Sequence, residues 1–308
     1  MTEEVKKIRA RKPGHFNVRL KKLAIISPIY IPMLVIALSL YIPVVWLVIN
    51  SFKGDFEYYL STPFAFAKKA LWSNYAFIAK MQYTINTDRG RLVYGIWDMF
   101  ANSMIFSLAS SVYPPFVTLV CAFIISRYRF PGRMFIFNLG IIVMILPILG
   151  SGAAGMILYR ALGIYDNMFL LILVSPSVAF SGMAFLLFYG AFQGLPRDYM
   201  EAAFIDGAGH LRVFLTIMLP MIMPVYGMFV LLGFIGSWNN WETFLYWLPS
   251  RANIALGMYE IQRVNALVGA TMPQVLAGFV IVAVPTSVMY LAAHPLMLKN
   301  FNIGGLKG

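Results

Sequence analysis

The chain has 308 residues, of which 60% are hydrophobic and 12% are charged, and its formal net charge is +12. A typical soluble domain is about 45–50% apolar and about 25% charged. This composition excludes a water-soluble monomer, which would lack enough polar residues to cover its surface, and it argues against a disordered or nucleic-acid-binding chain. The single cysteine, Cys121, excludes an internal disulfide framework and a cysteine-based zinc site.

Long segments without charged side chains predict membrane-spanning helices. A bilayer core about 30 Å thick needs about 20 apolar residues in helical form, and backbone groups in lipid must be hydrogen-bonded within the protein. Six such segments follow one another: 23–52, 99–126, 134–159, 167–196, 213–241 and 264–298. The predicted fold class is therefore all-α, a polytopic protein with six transmembrane helices. A β-barrel is rejected because its strands alternate apolar and polar residues.

The distribution of basic residues predicts the topology. Residues 1–22 are rich in Lys and Arg, so the positive-inside rule makes this tail cytoplasmic. Six spans then return the tail 299–308 to the same side. The first span, 23–52, is interpreted as a retained anchor, because its apolar run exceeds the roughly 7–15 residues of a signal peptide. The extracytoplasmic loop 53–98 is long enough for a small subdomain, and five further spans form a core over 99–298.

The segment 195–220, between the fourth and fifth spans, carries a spaced motif. Glu201-Ala202-Ala203 is followed by Gly207 and then by Ile217-x-Leu219-Pro220, which is the pattern E-A-A-x3-G-x9-I-x-L-P. Acidic residues early in a helix interact favourably with its dipole, and Gly207 and Gly209 favour a left-handed helix end. The segment therefore predicts a short helix on the cytoplasmic face. From physics alone, it could equally be only a connecting loop with a surface helix.

This spacing resembles the cytoplasmic EAA loop of binding-protein-dependent ABC importer permeases, and we call 195–220 the EAA loop. Other motifs resemble the carbohydrate branch of that family, the MalG-like subunits. They are Asn102-Ser103, the loop 127–133 (Arg-Tyr-Arg-Phe-Pro-Gly-Arg), Ile205-Asp206-Gly207-Ala208, Ser237-Trp238-Asn239 and the tail 299–308. The tail departs from the usual family pattern by ending in Gly-Gly-Leu-Lys-Gly.

The resemblance implies a type I ABC importer permease in a prokaryotic cell membrane, a transporter subunit and not an enzyme. Its implied partners are a second homologous permease, two ATP-binding subunits, an extracytoplasmic solute-binding protein, the lipid bilayer and a sugar or oligosaccharide. ATP and Mg would be held by the ATP-binding subunits, and this chain would bind no cofactor. The sequence agrees, because it lacks the G-x-x-x-x-G-K-[ST] loop that cradles ATP phosphates.

The resemblance also implies which residues couple this chain to ATP hydrolysis: Glu201, Ala202, Ala203, Asp206 and Gly207. Glu201 would supply a docking charge, the two alanines would allow close approach, and Gly207 would give the turn its freedom. The C-terminal tail would reach along the ATP-binding dimer.

A possible substrate pathway follows the fifth span, where aromatic and polar residues cluster: Trp238, Asn239, Asn240, Trp241 and Glu242. These residue types suit a sugar, although Trp also collects in the interfacial belt of any membrane protein. The basic outer loops would suit an acidic oligosaccharide. Two alternatives stay open, an importer of a non-sugar solute such as phosphate or peptide, and a membrane enzyme or receptor-like scaffold.

Overall fold

A computed structural model describes residues 15–87, 90–145, 151–175, 182–264 and 269–299. Most of the basic N-terminal tail, residues 1–14, lies outside the described residues, and so does almost all of the C-terminal tail, 300–308. The expectations for these two tails therefore stay predictions.

The described chain is mostly helical, with one short hairpin near its beginning. The elements up to the hairpin are α1 (His15–Ser51), α2 (Asp55–Leu60), α3 (Ser73–Ala79), β1 (Gln82–Thr87) and β2 (Gly90–Gly95). The next elements are α4 (Ile96–Arg127), α5 (Arg133–Ile145), α6 (Ser151–Ala161), α7 (Met168–Val174), α8 (Gly182–Gly194) and α9 (Asp198–Ile205). The last are α10 (His210–Val213), a π-helical turn (Phe214–Met218), α11 (Leu219–Trp238), α12 (Glu242–Tyr246), α13 (Ile254–Val264) and α14 (Met272–Lys299).

Four helical segments of the described chain are long and apolar enough to cross a membrane. They are Pro28–Ser51, Ile96–Arg127, His210–Trp238 and Met272–Pro295, and they overlap the first, second, fifth and sixth predicted spans. The third predicted span overlaps α5 and α6, which lie on either side of residues 146–150, which are not described. The fourth contains α7 and α8, on either side of the undescribed 176–181. The count of six spans therefore remains a prediction.

The all-α prediction misses the hairpin of β1 and β2. The two strands pair antiparallel, with Tyr83 opposite Tyr94 and Ile85 opposite Leu92. These pairs place aromatic and branched side chains across from one another, which stabilises an antiparallel ladder. Gly90, with φ +127°, begins the second strand. Polar residues between the apolar ones made this segment resemble an irregular loop.

Helix α4 is the central element and defines two ends of the molecule. We call the end near Ile96 and the strands the hairpin end, and the end near Arg127 and α9 the loop end. A stripe of buried small residues on α4, including Ser103, Ser107 and Ser111, allows close packing. A Cβ on Gly233 of α11 would lie 3.2 Å from the Cα of Ser111, so the two backbones approach as in other tightly packed membrane helices.

Apolar clusters pack along α4, and one lies at each of its ends. The loop-end cluster is centred on buried aromatic rings: Phe123, Phe185, Phe188, Phe192 and Phe214. The hairpin-end cluster joins α3, α4, α11, α13 and α14 through Ile78, Met99, Phe234, Trp238, Met258 and Val275. Helix packing along α4 therefore connects the two ends physically.

Helix α1 exposes most of its described side chains and is fastened mainly at its last turn. Leu40, for example, is 70% exposed, as expected for a lipid-facing helix. Just after α1, by contrast, the Lys53 side chain is fully buried, and its Nζ donates to the Thr62 carbonyl, 3.1 Å away. The Nδ2 of Asn50 donates to the Pro63 carbonyl at 2.9 Å, and that of Asn74 to the Ser51 carbonyl at 2.8 Å. We call Asn50, Ser51, Lys53 and Asn74 the polar knot.

Candidate functional site

The EAA loop folds into the short helix α9, whose ends are well defined. Asp198 and Glu201 lie in its first turn. At its end, the Ala208 N–H donates to the Ala203 carbonyl at 2.9 Å, and the Gly207 N–H donates to the Phe204 carbonyl at 3.0 Å. This pair of bonds is a Schellman motif, which needs a left-handed residue, and Gly207 has φ +80°. The predicted helix and its end at Gly207 are confirmed.

Gly209 does not share the left-handed conformation that the sequence suggested for both glycines. Its φ is −73°, in the extended region, and it is the N-cap of α10. The reason is that one left-handed residue already completes the helix end. The chain can therefore begin its next helix directly.

Helix α9 has a buried face and an exposed face. Met200 and Ala203 are buried in the loop-end cluster. Glu201, Ala202 and Asp206 are exposed, and between them Ile205 is 85% exposed. The exposed face thus combines acidic side chains with small and large apolar ones. The side chain of Ala203 faces the core of this chain itself.

Side chains at the end of α4 and just after it hold the chain on both sides of α9. The Arg127 guanidinium donates to the carbonyls of Phe192 and Leu195, the latter at 2.7 Å. On the other side of α9, the Tyr128 hydroxyl shares a hydrogen bond of 2.9 Å with Nδ1 of His210. Partial burial raises the pKa of the Tyr128 phenol, so this group stays neutral at physiological pH.

The predicted substrate-pathway residues are divided among different environments. Trp238 is fully buried, and its indole Nε1–H donates to the Val282 carbonyl at 2.9 Å. Its ring packs on Phe100 and Phe234, with centroids 5.3 and 5.8 Å away. Trp238 is therefore a core residue of this chain.

The other four pathway residues lie around the turn between α11 and α12. Asn239 is exposed, and Asn240 accepts from the Thr243 backbone N–H at 2.9 Å. Trp241 stacks on Tyr259, with ring centroids 3.9 Å apart and an interplanar angle of 7°. Glu242 is exposed in the first turn of α12. Of the five predicted pathway residues, these four lie near the surface at the hairpin end.

A cavity that sequence reasoning missed lies between α4, α6, α7 and α12, with a volume of about 250 Å³. Its polar and aromatic lining comes from Ser110, Tyr159, Ser175, Thr243 and Trp247. The Tyr159 and Trp247 rings are 5.1 Å apart, inclined at 55°. Hydroxyl groups beside aromatic faces can bind a ligand that has both hydroxyls and apolar patches. The residues come from four distant segments, so no sequence spacing indicates the cavity.

The hairpin end also carries a small ionic and aromatic group. Nη2 of the exposed Arg263 lies 2.7 Å from Glu260. Burial raises the pKa of Tyr83 of β1, and Glu260 raises it further, whereas Arg263 acts in the opposite direction.

The motif Asn102-Ser103 anchors the chain at the start of α13. The Nδ2 of Asn102 donates to the Ala252 carbonyl, and the Ser103 hydroxyl accepts from the Ile254 N–H, both at 2.9 Å.

Comparison with known proteins identifies relatives in membrane transport. The family model described as "Binding-protein-dependent transport system inner membrane component" matches residues 115–294, more than half of the chain. The diacetylchitobiose uptake system permease protein NgcG of Streptomyces coelicolor is 30% identical over 199 residues, which are 65% of this chain and 61% of that protein. The maltodextrin transport system permease protein MdxG of Bacillus subtilis is 27% identical over 68% of this chain and 75% of that protein.

A solved structure shares the fold over nearly the whole chain. It is a bacterial ABC transporter involved in the import of the acidic polysaccharide alginate, and the match has a TM-score of 0.64. The identity is 21%, over 91% of this chain and 98% of that one. At this identity the likeness establishes the fold alone.

Proposed function

This chain belongs to the family of binding-protein-dependent transport system inner membrane components, and from this premise we propose that it is a permease subunit of an ATP-driven importer of a sugar or oligosaccharide. The single observation that carries the proposal is the exposed face of α9, displayed within the matched family region. Relatives named for diacetylchitobiose and maltodextrin uptake favour an oligosaccharide. The alginate importer supports the fold, but not the cargo.

In the proposed assembly the chain is a multi-pass protein of a prokaryotic cell membrane, with six spans and both termini cytoplasmic. It pairs with a second homologous permease over two ATP-binding subunits, which hold ATP and Mg. An extracytoplasmic solute-binding protein delivers the sugar at the hairpin end. Four long apolar helices and the basic tail 1–22 support this arrangement.

The coupling step follows from the two faces of α9. Glu201 and Asp206 present charge to a cleft on the ATP-binding subunit, Ala202 allows close approach, and Ile205 buries its apolar surface there. Ala203 and Met200 attach α9 to the loop-end cluster. When ATP closes the dimer, α9 moves, and α10 with the π-helical turn carries the displacement into α11. Because α11 packs along α4, the cavity between the spans changes its access.

The cavity of Ser110, Tyr159, Thr243 and Trp247 is the proposed sugar contact of this subunit. A sugar has hydroxyl groups around a ring with apolar C–H faces, which matches hydroxyl and aromatic lining. Trp241 and Glu242, nearer the surface, would meet the delivered sugar first. Trp238 supports this region from the core.

Reconstitution tests the proposal. The chain would be co-expressed with the permease, ATP-binding and solute-binding proteins encoded beside it, and the assembly placed in lipid vesicles. A panel of neutral oligosaccharides, uronic acid oligosaccharides, peptides and phosphate would first be screened for thermal stabilisation of the binding protein. We expect an oligosaccharide to stabilise it, to stimulate ATP turnover and to accumulate in the vesicles. Accumulation of a peptide or phosphate instead would refute the sugar assignment, and no stimulated turnover would refute the importer.

A further inference from the structure

We propose that the last turn of α4 and the following residue, 123–128, form a brace that holds the chain on both sides of α9, and that Arg127 is its main positioning residue. The effect on transport rests on the proposed function. The brace itself is a property of this chain and can be measured without any partner.

The first contact of the brace is at the start of the loop. Helix α8 ends at Gly194, and the last carbonyls of a helix have no partner within it. Arg127 donates to two carbonyls at this point, those of Phe192 and Leu195. Both bonds come from Nη2 of the guanidinium, and a cation at a helix C-terminus is favoured by the dipole. In return, Nε2 of Gln193 donates to the Ser126 carbonyl at 3.0 Å.

Arg127 is committed to this role by its surroundings. The single ion pair found within the described part of the chain joins Arg263 to Glu260, so Arg127 has no carboxylate partner there. Its Nε is buried without a hydrogen-bond partner among the described residues. The guanidinium is therefore held by carbonyl groups at the start of the loop.

The second contact is on the other side of α9. Tyr128 reaches His210, the first residue of α10, by a hydrogen bond of 2.9 Å and a ring contact with centroids 5.4 Å apart. His210 also packs on Phe204 of α9, at 4.9 Å. One turn earlier on α4, the Phe123 ring lies 4.8 Å from Phe214 of the π-helical turn. One turn of α4 thus contacts the chain before and after α9.

The brace restrains two non-helical segments, one on each side of α9, that could otherwise bend when α9 moves. Without it, a load on α9 could be absorbed by bending at 195–197 and at Gly207, where the chain is not helical. With both ends attached to α4, displacement of α9 carries α4 along with α8 and α10. The brace therefore sets how much of the docking motion reaches the spans.

Hydrogen exchange on the full chain, purified in detergent, tests the brace directly. Arg127→Met keeps an unbranched apolar side chain and removes the donors, and the exposed Arg129 provides a matched control, Arg129→Met. We expect backbone amides of 198–213 to exchange about tenfold faster in Arg127→Met, since hydrogen bonds from a charged group are lost. Arg127→Lys should restore part of the protection, because lysine still donates to carbonyls. Equal exchange in Arg127→Met and Arg129→Met would overturn the brace, whatever the transport activity.

Transport measurements then test whether the brace couples ATP hydrolysis to sugar import. Tyr128→Phe removes only the hydroxyl bond to His210 and keeps the ring, so it threatens folding least. In the reconstituted assembly, we expect the sugar imported per ATP hydrolysed to fall about fivefold in Tyr128→Phe and further in Arg127→Met. Arg129→Met should match the wild type. An unchanged ratio in both brace variants would overturn the coupling role, whereas a wild-type assembly without stimulated ATP turnover would instead refute the proposed function.

Discussion

The two glycines at the end of α9 allow a matched test of the EAA loop. Gly207 has φ +80°, and Gly209 has φ −73°. A Cβ added at either position meets nothing within 4 Å. Gly207→Ala and Gly209→Ala therefore add the same methyl group to equally open space, and they differ only in the backbone conformation that the new residue must adopt.

The expected difference follows from that conformation. An L-residue in the left-handed region costs about 1–2 kcal/mol relative to glycine. Since about 1.4 kcal/mol is a factor of ten in an equilibrium constant, the Schellman end of α9 should become roughly 5–30-fold less populated in Gly207→Ala. Asparagine tolerates this conformation better, and a β-branched residue tolerates it worse. The predicted order of activity is therefore Gly, Asn, Ala and Val at position 207.

The assay is sugar uptake into membrane vesicles, normalised to the amount of this chain in the membrane. We expect Gly207→Ala to reduce uptake several-fold, Gly207→Val to abolish it, and Gly209→Ala to stay within about twofold of the wild type, because open space and negative φ impose no strain. If Gly207→Ala and Gly209→Ala gave the same uptake, the backbone of Gly207 would not control coupling and this reasoning would be refuted.

Three further predictions concern other parts of the molecule. Trp238→Phe leaves the Val282 carbonyl without its indole donor, so it should destabilise the chain by about 1–3 kcal/mol; a lowered Tm in detergent checks this, and an altered KM at unchanged Tm would contradict the core role. Thr243→Val should raise the KM for sugar severalfold at saturating binding protein, since one hydrogen bond is worth about 1 kcal/mol, and an unchanged KM would remove the cavity from the pathway. Ile205→Asp should weaken binding of the ATP-binding subunit by about tenfold or more, since burying Ile contributes about 1.5–3 kcal/mol; titration calorimetry measures this, with Leu211→Asp as the exposed control.

The sequence predicted features that depend on neighbouring residues. Helix α9 has acids in its first turn, alanines in its middle and Gly207 at its end, and each preference acts within a few residues. Long apolar runs likewise predicted α1, α4, α11 and α14. The hairpin was not predicted. A strand signal is present at Tyr83, Ile85, Leu92 and Val93, but the polar residues between them are also typical of a loop.

Features that depend on residues far apart could not be predicted. The cavity joins Ser110, Tyr159 and Thr243, which meet only after the helices pack. In sequence, Trp238 has the pattern of an interfacial or substrate-binding tryptophan. Its burial depends on Phe100 and Val282, which are far from it in the chain. Lys53 falls at the start of the predicted outer loop 53–98, yet it is fully buried, and its Nζ donates to the Thr62 carbonyl, a contact that no local pattern indicates.

The polar knot has a consequence for how the protein is made. Among its hydrogen bonds, the one with the largest sequence separation joins Ser51 to Tyr75, 24 residues apart. The others join residues that are closer in the chain. Contacts over short sequence distances close quickly and do not wait for the rest of the chain. The knot can therefore form during synthesis, before α4 leaves the ribosome, and the first helix has its end fixed when the later helices arrive to pack.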